Sequence, residues 1–261
     1  MRLTSTLLVI TSFVFTGCIS RSYFQSPMHG NTSTYKAIPL HNDSVRSALY
    51  AGGHFLAGGT NQDLRDSYIG ATGTLHQAHN FGTFQAYYGI NATAGRYQVK
   101  STFDEGNRRE LNFGTTERFF GSAGANGGIN AVLPFDDGEW RVFGTEFSYT
   151  REFGDYYKFR KDLPDSAVSY VNRKYNYFTL GFNTEIAGQL RNKNVLTYKI
   201  AYILSLNPLR NEFNSDGRLH PAYLSNTISY TAKKITGNIQ LNTGTKLFGF
   251  QLGLNCRLSR L

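Results

Sequence analysis

From about residue 46 to the C-terminus, apolar and polar side chains alternate along the chain with a period of two. The run 196–206 is the clearest example. One of its faces carries only large apolar side chains, at Leu196, Tyr198, Ile200, Tyr202, Leu204 and Leu206. Successive side chains of a strand point to opposite faces, whereas these six would point all around a helix. The pattern therefore predicts a β-strand, with Lys199 on the opposite, polar face.

Similar segments recur about ten times, and in each the second face is rich in Gly, Ser, Thr, Asn, Gln and Tyr. They lie at 48–58, 67–77, 83–92, 118–133, 139–150, 175–188, 196–206, 223–232, 238–244 and 247–255. Segments of about ten residues with this alternation, separated by turn residues, are typical of a transmembrane β-barrel. We expect an all-β, antiparallel barrel of ten strands over residues 46–261, with eight strands as the alternative if two weak segments do not span.

The connections between these segments alternate between long and short. The long connections are residues 58–66, 96–117, 153–174 and 207–221, and short turns lie between them. Only the last connection, 242–246, departs from the alternation. Outer-membrane barrels have short periplasmic turns and longer outer loops. The alternation therefore favours an even strand number, with both ends of the barrel domain on the periplasmic side.

A soluble β-sandwich or a lipocalin-like barrel is the competing fold, with its apolar face inward and its polar face in water. A water-facing exterior would carry many Lys, Glu and Asp side chains. The polar faces here carry few charges, and only 17% of all residues are charged. Small and amide-bearing side chains of this kind fit a crowded interior, which favours the membrane barrel.

Composition and charge narrow the function classes further. Mean hydropathy is −0.35, which is too low for a helical membrane protein, while aromatic residues make up 15% of the chain. The net charge is +9, but the basic residues are spread over loops and turns without a stripe. We therefore expect no nucleic-acid partner. The short-turn cations Arg191, Lys193, Lys233 and Lys234 could meet anionic lipid headgroups or acidic periplasmic proteins.

The predicted interior is narrow, and bulky inward side chains would fill it. Tyrosines on the polar faces at Tyr50, Tyr68, Tyr87, Tyr177 and Tyr223 are the expected filling, with inward glycines making room. Glu185 and Lys199 are equally far from the turn centred near Asn192, so they should face each other across a hairpin. Opposite charges at facing positions stabilise each other. We predict a lumen charge pair with a structural role, and a proton or ion relay is the alternative.

Few other residues of the sequence suggest a binding or catalytic site. The loop 155–163 combines aromatic and cationic side chains and is the best candidate for an outer-loop binding patch, with Tyr156, Tyr157, Lys158, Phe159, Arg160 and Lys161. Ser, His and acidic residues occur singly, so no catalytic residue and no metal ligand set is predicted. This favours a non-enzymatic role, although a barrel enzyme acting on lipid or peptide stays open.

The N-terminus reads as an export signal. An early cation, Arg2, precedes an apolar core at residues 7–15, which is too short to span a bilayer and ends in Thr16-Gly17-Cys18. A cysteine in this position resembles the lipobox of bacterial lipoproteins, although Phe15 stands where that family usually has an aliphatic residue. The resemblance implies a signal peptide at residues 1–17 and acylation of Cys18. Covalent lipid such as palmitate is then the only attached group expected, and no cofactor is predicted.

Residues 18–45 lack periodicity and are rich in Ser, Thr, Asn, His and Pro, so we expect a lipidated cysteine followed by a flexible tether. The alternative is a partly ordered strap lying on the barrel domain and anchored by Tyr23, Phe24 and Ile38. The whole chain resembles lipidated outer-membrane barrels of the Bacteroidota type. In that group, lipoproteins exported to the cell surface carry acidic residues just after the cysteine, and residues 19–24 contain none. The resemblance therefore implies an anchor in the periplasmic leaflet. The expected function is that of a structural or accessory subunit of an outer-membrane assembly, secretion or uptake complex. The partners would be outer-membrane lipids and other outer-membrane or periplasmic proteins; a barrel enzyme and a narrow channel are the alternatives.

Overall fold

The computed structural model describes residues 23–43, 45–61, 64–100, 102–104, 109–111, 116–163, 170–211 and 218–260. The signal-peptide and Cys18 predictions lie outside these ranges. Among the described residues, no helix combines the length and the apolar character needed to cross a membrane.

Ten long strands close into one antiparallel barrel, which confirms the predicted fold and strand number. Numbered along the chain, they are β2 (Ser47–Thr60), β3 (Asp66–Asn80), β4 (Phe84–Val99), β7 (Thr116–Phe135), β8 (Gly138–Phe153), β10 (Asn176–Gln189), β11 (Val195–Ser205), β14 (Ala222–Ala232), β15 (Ile235–Gly244) and β16 (Leu247–Arg260). Strands that follow one another in this list are paired, and β16 pairs antiparallel with β2 to complete the ring. No edge is left unpaired among these ten, so the backbone groups of the barrel wall bond to one another.

The two rims of the barrel differ. The long-loop rim carries the connections at 61–65, 100–115, 154–175, 206–221 and 245–246. The short-turn rim carries the turns at 81–83, 136–137, 190–194 and 233–234. Strand β2 begins and β16 ends at the short-turn rim, as the alternating connections predict.

The outer surface of the wall is apolar. Side chains with two-fifths or more of their area exposed include Ile69, Ile90, Ile129, Phe143, Phe182, Leu196, Tyr198, Tyr202, Ile228, Ile239, Leu252 and Leu254. A contiguous apolar band around a closed barrel would be unstable in water, because exposed apolar patches on soluble monomers rarely exceed a few hundred Å². The fold is therefore a transmembrane β-barrel.

Short elements at the long-loop rim add a cap. A four-stranded sheet joins β1 (Tyr23–Phe24), β9 (Tyr170–Val171), β12 (Leu209–Asn211) and β13 (Arg218–Leu219). The helix α1 (Asp155–Asp162) lies in the connection after β8, and the hairpin of β5 (Thr102–Asp104) and β6 (Arg109–Leu111) lies in the connection after β4. In the cap sheet, β1 pairs in parallel with β9.

The segment after β1 does not behave as a tether. Residues 25–41, which we call the lumen segment, begin beside the cap sheet and run through the barrel to the short-turn rim. Almost all of them are buried, including a 3-10 turn at Pro27–Gly30. The prediction of a flexible tether is wrong for this part of residues 18–45, because lumen side chains satisfy its backbone along most of its length.

Candidate functional site: the filled lumen

At the long-loop rim, the lumen segment enters through a network of amide and phenol groups. The Gln25 backbone N–H donates to the Asn61 side-chain oxygen at 3.0 Å, and the Tyr156 hydroxyl donates to the Gln25 carbonyl oxygen at 2.9 Å. The Tyr97 hydroxyl donates to the Asp66 carboxylate at 2.8 Å. Its ring stacks on that of Tyr156 at 3.7 Å between centroids. These contacts hold the segment against the wall where it enters.

Helix α1 closes this end from above. Arg160 is fully buried and donates to the Glu152 carboxylate, and it lies 4.9 Å from the centre of the Tyr156 ring. Burial alone would lower the pKa of Arg160, but the nearby Glu152 carboxylate raises it above its ordinary value. Burial also raises the pKa of the Tyr156 phenol. The cap therefore holds a permanent cation paired with a buried carboxylate.

In the upper lumen the segment touches three strands of the wall. Its Thr32 side chain lies 3.3 Å from the Tyr223 hydroxyl on β14. The Thr179 hydroxyl on β10 donates to the Thr32 oxygen at 3.4 Å. Asn31 donates from its side-chain amide to the Tyr68 hydroxyl on β3 at 2.9 Å. The segment is thus bonded on several sides at one height of the barrel.

A carboxylate at mid-height gathers two donors. The Glu146 carboxylate accepts from the Lys199 ammonium at 2.9 Å and from the Tyr87 hydroxyl at 3.1 Å. The Lys36 ammonium of the lumen segment is also buried nearby and donates to the Thr34 hydroxyl. A cavity of about 10 Å³ lies between Glu146 and the segment. That volume holds one water molecule at most, so the lumen is filled at this height.

Near the short-turn rim, Arg141 forms the centre of the best-paired cluster. Its guanidinium bonds to the Glu139 carboxylate at 2.7 Å and to the Glu185 carboxylate, and its side chain is only 2% exposed. The same carboxylates also hold the segment. The His41 backbone N–H donates to Glu139 at 2.6 Å and the Tyr35 hydroxyl donates to Glu185 at 3.3 Å. Charged partners of this kind fix the exit of the segment.

The predicted lumen pair, Glu185 and Lys199, occupies directly opposed register positions on β10 and β11. Each nevertheless forms its ion pair with another residue, Glu185 with Arg141 and Lys199 with Glu146, so the prediction of a bond between them is wrong. Glu185 also faces Arg141 on β8, which competes for its carboxylate. Lys199 reaches Glu146 because Gly181, next to Glu146, has no side chain to block the path: a Cβ there would lie 2.6 Å from Glu146 Cγ.

Sequence alternation missed Arg141 because of a β-bulge. The register of β8 against β7 passes from Phe143 to Arg141 and omits Val142. One extra residue in a strand reverses the alternation beyond it. Strict alternation across 139–150 would put Arg141 on the same face as Phe143, whereas the bulge turns Arg141 inward. The sequence carries one signal of the bulge: Trp140 and Phe143 are both large and apolar but three residues apart, so strict alternation cannot place both on the outer face, where the structure has them.

The predicted filling tyrosines and inward glycines lie where expected. Tyr50, Tyr68, Tyr87, Tyr177 and Tyr223 are all buried. The Tyr68 hydroxyl lies 2.6 Å from where a Cβ at Gly249 would stand. The tyrosines line the wall, however, and the lumen segment fills the space between them.

The residues of the predicted outer-loop patch lie on two different sides of α1. Tyr156 and Arg160 are buried in the cap and unavailable to a ligand in this structure, which counts against that part of the predicted patch. Lys158 and Lys161 are exposed and Tyr157 is half-buried. Phe159 packs on Phe24 and lies beneath the Arg118 guanidinium, 4.2 Å from its ring centre. A surface cleft of about 390 Å³ runs along this side. Binding there stays a prediction.

Metal chemistry finds no support in the part of the chain that the structure describes, where no group of three or more His, Cys, Asp or Glu side chains could hold an ion. His76 turns inward, with Nε2 3.0 Å from the Ala37 carbonyl oxygen of the lumen segment. His79 instead stacks on Phe81 and Tyr88. The two histidines of the sequence HQAH therefore have different surroundings.

These observations define the class: a ten-stranded transmembrane β-barrel whose lumen is filled by its own N-terminal segment. No protein-family model and no curated protein sequence matches the chain. Solved structures that resemble it include the transport unit of the autotransporter AIDA-I from Escherichia coli, with 9% identity and a TM-score of 0.40 over 85% of this chain and 93% of that one. The β domain of the Bordetella autotransporter BrkA has 12% identity and a TM-score of 0.41, over 82% and 100%. The COG4313 outer membrane channel from Pseudomonas putida F1 has 8% identity and a TM-score of 0.38, over 86% and 98%. At these values the likeness decides nothing about function.

Proposed function

We propose that the protein is a non-conducting barrel of the bacterial outer membrane that serves as a structural or accessory subunit of an envelope complex. The main support for this proposal is the lumen segment, which occupies the barrel from the long-loop rim to the short-turn rim. A solute would have to displace buried ion pairs and hydrogen bonds to pass. Short turns at one rim and long loops at the other support an outer-membrane location.

With the lumen occupied, the rims are the surfaces that a partner can reach. The short-turn rim offers a basic patch formed by two neighbouring turns. Arg191 and Lys193 lie in the turn after β10, and Lys233 and Lys234 lie in the turn after β14; all four are exposed. Strands β11 and β14 are adjacent, which places the two turns side by side. We propose an acidic periplasmic protein as the partner of this basic rim.

Reversing the charge of the basic rim should release that partner. The variant Arg191→Glu, Lys193→Glu, Lys233→Glu, Lys234→Glu is expected to bind the partner about a thousandfold more weakly and to retain almost none of it in affinity purification from solubilised outer membranes. Cations near an oppositely charged surface contribute about 1 kcal/mol each, so the loss of four costs about 4 kcal/mol, and 1.4 kcal/mol is tenfold in affinity. Mass spectrometry of the purified material gives the readout.

The matched control carries Lys158→Glu and Lys161→Glu on α1, at the opposite rim, and should retain the partner fully. Raising the salt concentration should weaken the wild-type association, because exposed charges are screened. Recovery of the wild-type protein alone and monomeric would contradict the subunit proposal. Equal retention by both variants would contradict the role of the basic rim.

A further inference from the structure

A series of aromatic rings runs down the lipid-facing wall along the seam between β8 and β10. The rings of Tyr149 and Phe178 lie 5.0 Å apart between centroids, and those of Phe147 and Phe178 lie 6.0 Å apart. Further from the long-loop rim, the rings of Phe143 and Phe182 lie 6.0 Å apart. All four phenylalanines are exposed on the outer surface of the barrel. We call these five residues the aromatic track.

The track has the depth of one leaflet. Six residue steps separate Phe143 from Tyr149, which is about 20 Å along a strand and about 15 Å across the bilayer at the usual tilt. The hydrocarbon core of a bilayer is about 30 Å thick, so one leaflet contributes about 15 Å. An acyl chain in the leaflet at the long-loop rim can therefore lie against the track along its whole length.

Two cations lie at the upper end of the track. Arg151 is the next outward-facing residue of β8 after Tyr149, and its guanidinium carbon lies 5.2 Å from the centre of the Tyr175 ring. Lys174 directly precedes Tyr175 and is exposed. Tyr157 of α1 packs edge-on against Tyr175, with 6.1 Å between the ring centroids. The two cations therefore lie where the apolar wall ends and the polar loops begin.

Neither cation has a carboxylate partner among the residues that the structure describes, although other cations of the long-loop rim do. Lys158 on α1, for example, pairs with Asp155 at 3.4 Å. A guanidinium held over an aromatic ring keeps the N–H donors in its own plane available. Arg151 and Lys174 therefore present positive charge without a counterion at the height of the lipid headgroups.

We propose that Arg151 and Lys174 bind the phosphate of an anionic lipid whose acyl chains lie on the aromatic track. Arginine binds a phosphate through paired N–H donors, and lysine binds it as a point charge. Free phosphate would contact the cations alone, whereas a lipid also covers the exposed rings, so the track selects the lipid. The site lies at the rim opposite to the basic rim and goes beyond the proposed function.

A lipid titration tests this site. The parent protein carries Gln at the four cations of the basic rim, so that this rim does not bind lipid. It is titrated in a non-ionic detergent with dioleoyl phosphatidic acid or with the net-neutral dioleoyl phosphatidylcholine, and native mass spectrometry measures the bound lipid. We expect the parent to prefer phosphatidic acid. The added changes Arg151→Gln and Lys174→Gln should weaken that binding about thirtyfold, which corresponds to about 1 kcal/mol for each cation. Equimolar sodium phosphate should leave the lipid bound.

The matched control adds Arg65→Gln and Lys100→Gln to the same parent. Both residues are exposed at the long-loop rim, beside β3 and β4, and this variant should bind phosphatidic acid as the parent does. Heat-modifiable migration on gels verifies that each variant is folded. Equal affinity of the parent and the Arg151, Lys174 variant, an equal loss in the control, no preference for phosphatidic acid, or displacement by phosphate would each overturn the proposal. The titration involves no protein partner and no conductance, so its failure is distinguishable from failure of the proposed function.

Discussion

Deleting residues 25–40 is expected to turn a silent barrel into an ion-conducting one. Side chains alone can fill the interior of an eight-stranded barrel, and a ten-stranded barrel is wider. In this protein the wall tyrosines leave a central space, and the lumen segment occupies it. Without the segment, that space would fill with water. Single-channel recording in planar bilayers should show discrete conductance steps for the deletion variant and none for the wild type.

Two additions keep this experiment decisive if the deletion destabilises the barrel. Heat-modifiable migration on gels identifies the folded fraction, since folded membrane barrels commonly migrate differently before boiling. A synthetic peptide of residues 23–43, added during refolding, should suppress the conductance, while a scrambled peptide of the same composition should not. A folded deletion variant that stays silent would mean that another part of the chain closes the lumen.

Replacing Arg141 with methionine is expected to cost about 3–5 kcal/mol of stability, because the change leaves two buried carboxylates without their cation. Glu139 and Glu185 are both buried, and each also holds part of the lumen segment. Denaturant unfolding of the purified barrel in detergent micelles measures the loss. The triple variant Arg141→Met, Glu139→Gln, Glu185→Gln should recover part of it, since neutral amides are less costly to bury.

The matched control is Arg96→Met. Arg96 and Glu117 form an ion pair of 3.2 Å on the surface, with side chains 74% and 60% exposed. Exposed pairs contribute about 1 kcal/mol or less. Equal, small losses for both arginine variants would contradict the assignment of Arg141 to a desolvated cluster.

The strands could be predicted because their determinants are local. In β11, the polarity of each residue indicates which face of the strand it occupies. Leu196, Tyr198 and Tyr202 are exposed to lipid, whereas Thr197 and Lys199 are buried. Alternation with a period of two requires no knowledge of neighbouring strands. The ten-strand count and the placement of both barrel ends followed from the same pattern.

The lumen segment could not be predicted in this way, because its burial depends on contacts with residues far along the chain. Gln240 and Gln251, for example, donate to the Ser33 carbonyl oxygen from more than 200 positions away. A segment bonded on all sides has no polar and apolar face and therefore no period. One signal was present: between Phe24 and His41 the only Lys, Arg, Asp or Glu is Lys36. Such a low charge is unusual for a solvated tether and typical of a buried polar segment.

The lumen ion pairs illustrate a second limit. Glu185 and Lys199 could be placed opposite each other by counting from a turn, and the register agrees. The partner of each depends on contacts with β8. The bulge at Val142 turns Arg141 toward Glu185, and Gly181 on β10 leaves space for Lys199 to reach Glu146. Counting along one hairpin cannot include the third strand.

A disulfide between the lumen segment and the wall tests the central claim most directly. In a Cys256→Ser background, Thr32→Cys is combined with Thr179→Cys, because the two native side-chain oxygens lie 3.4 Å apart. Oxidation should link the tryptic peptides 22–36 and 175–191 within one chain, and mass spectrometry detects the pair. Thr32→Cys combined with Asn192→Cys, at the short-turn rim, should give no link. A filled lumen predicts near-complete crosslinking of the first pair only. Absence of that link in folded barrels, or equal linking of both pairs, would contradict a lumen segment held inside the barrel.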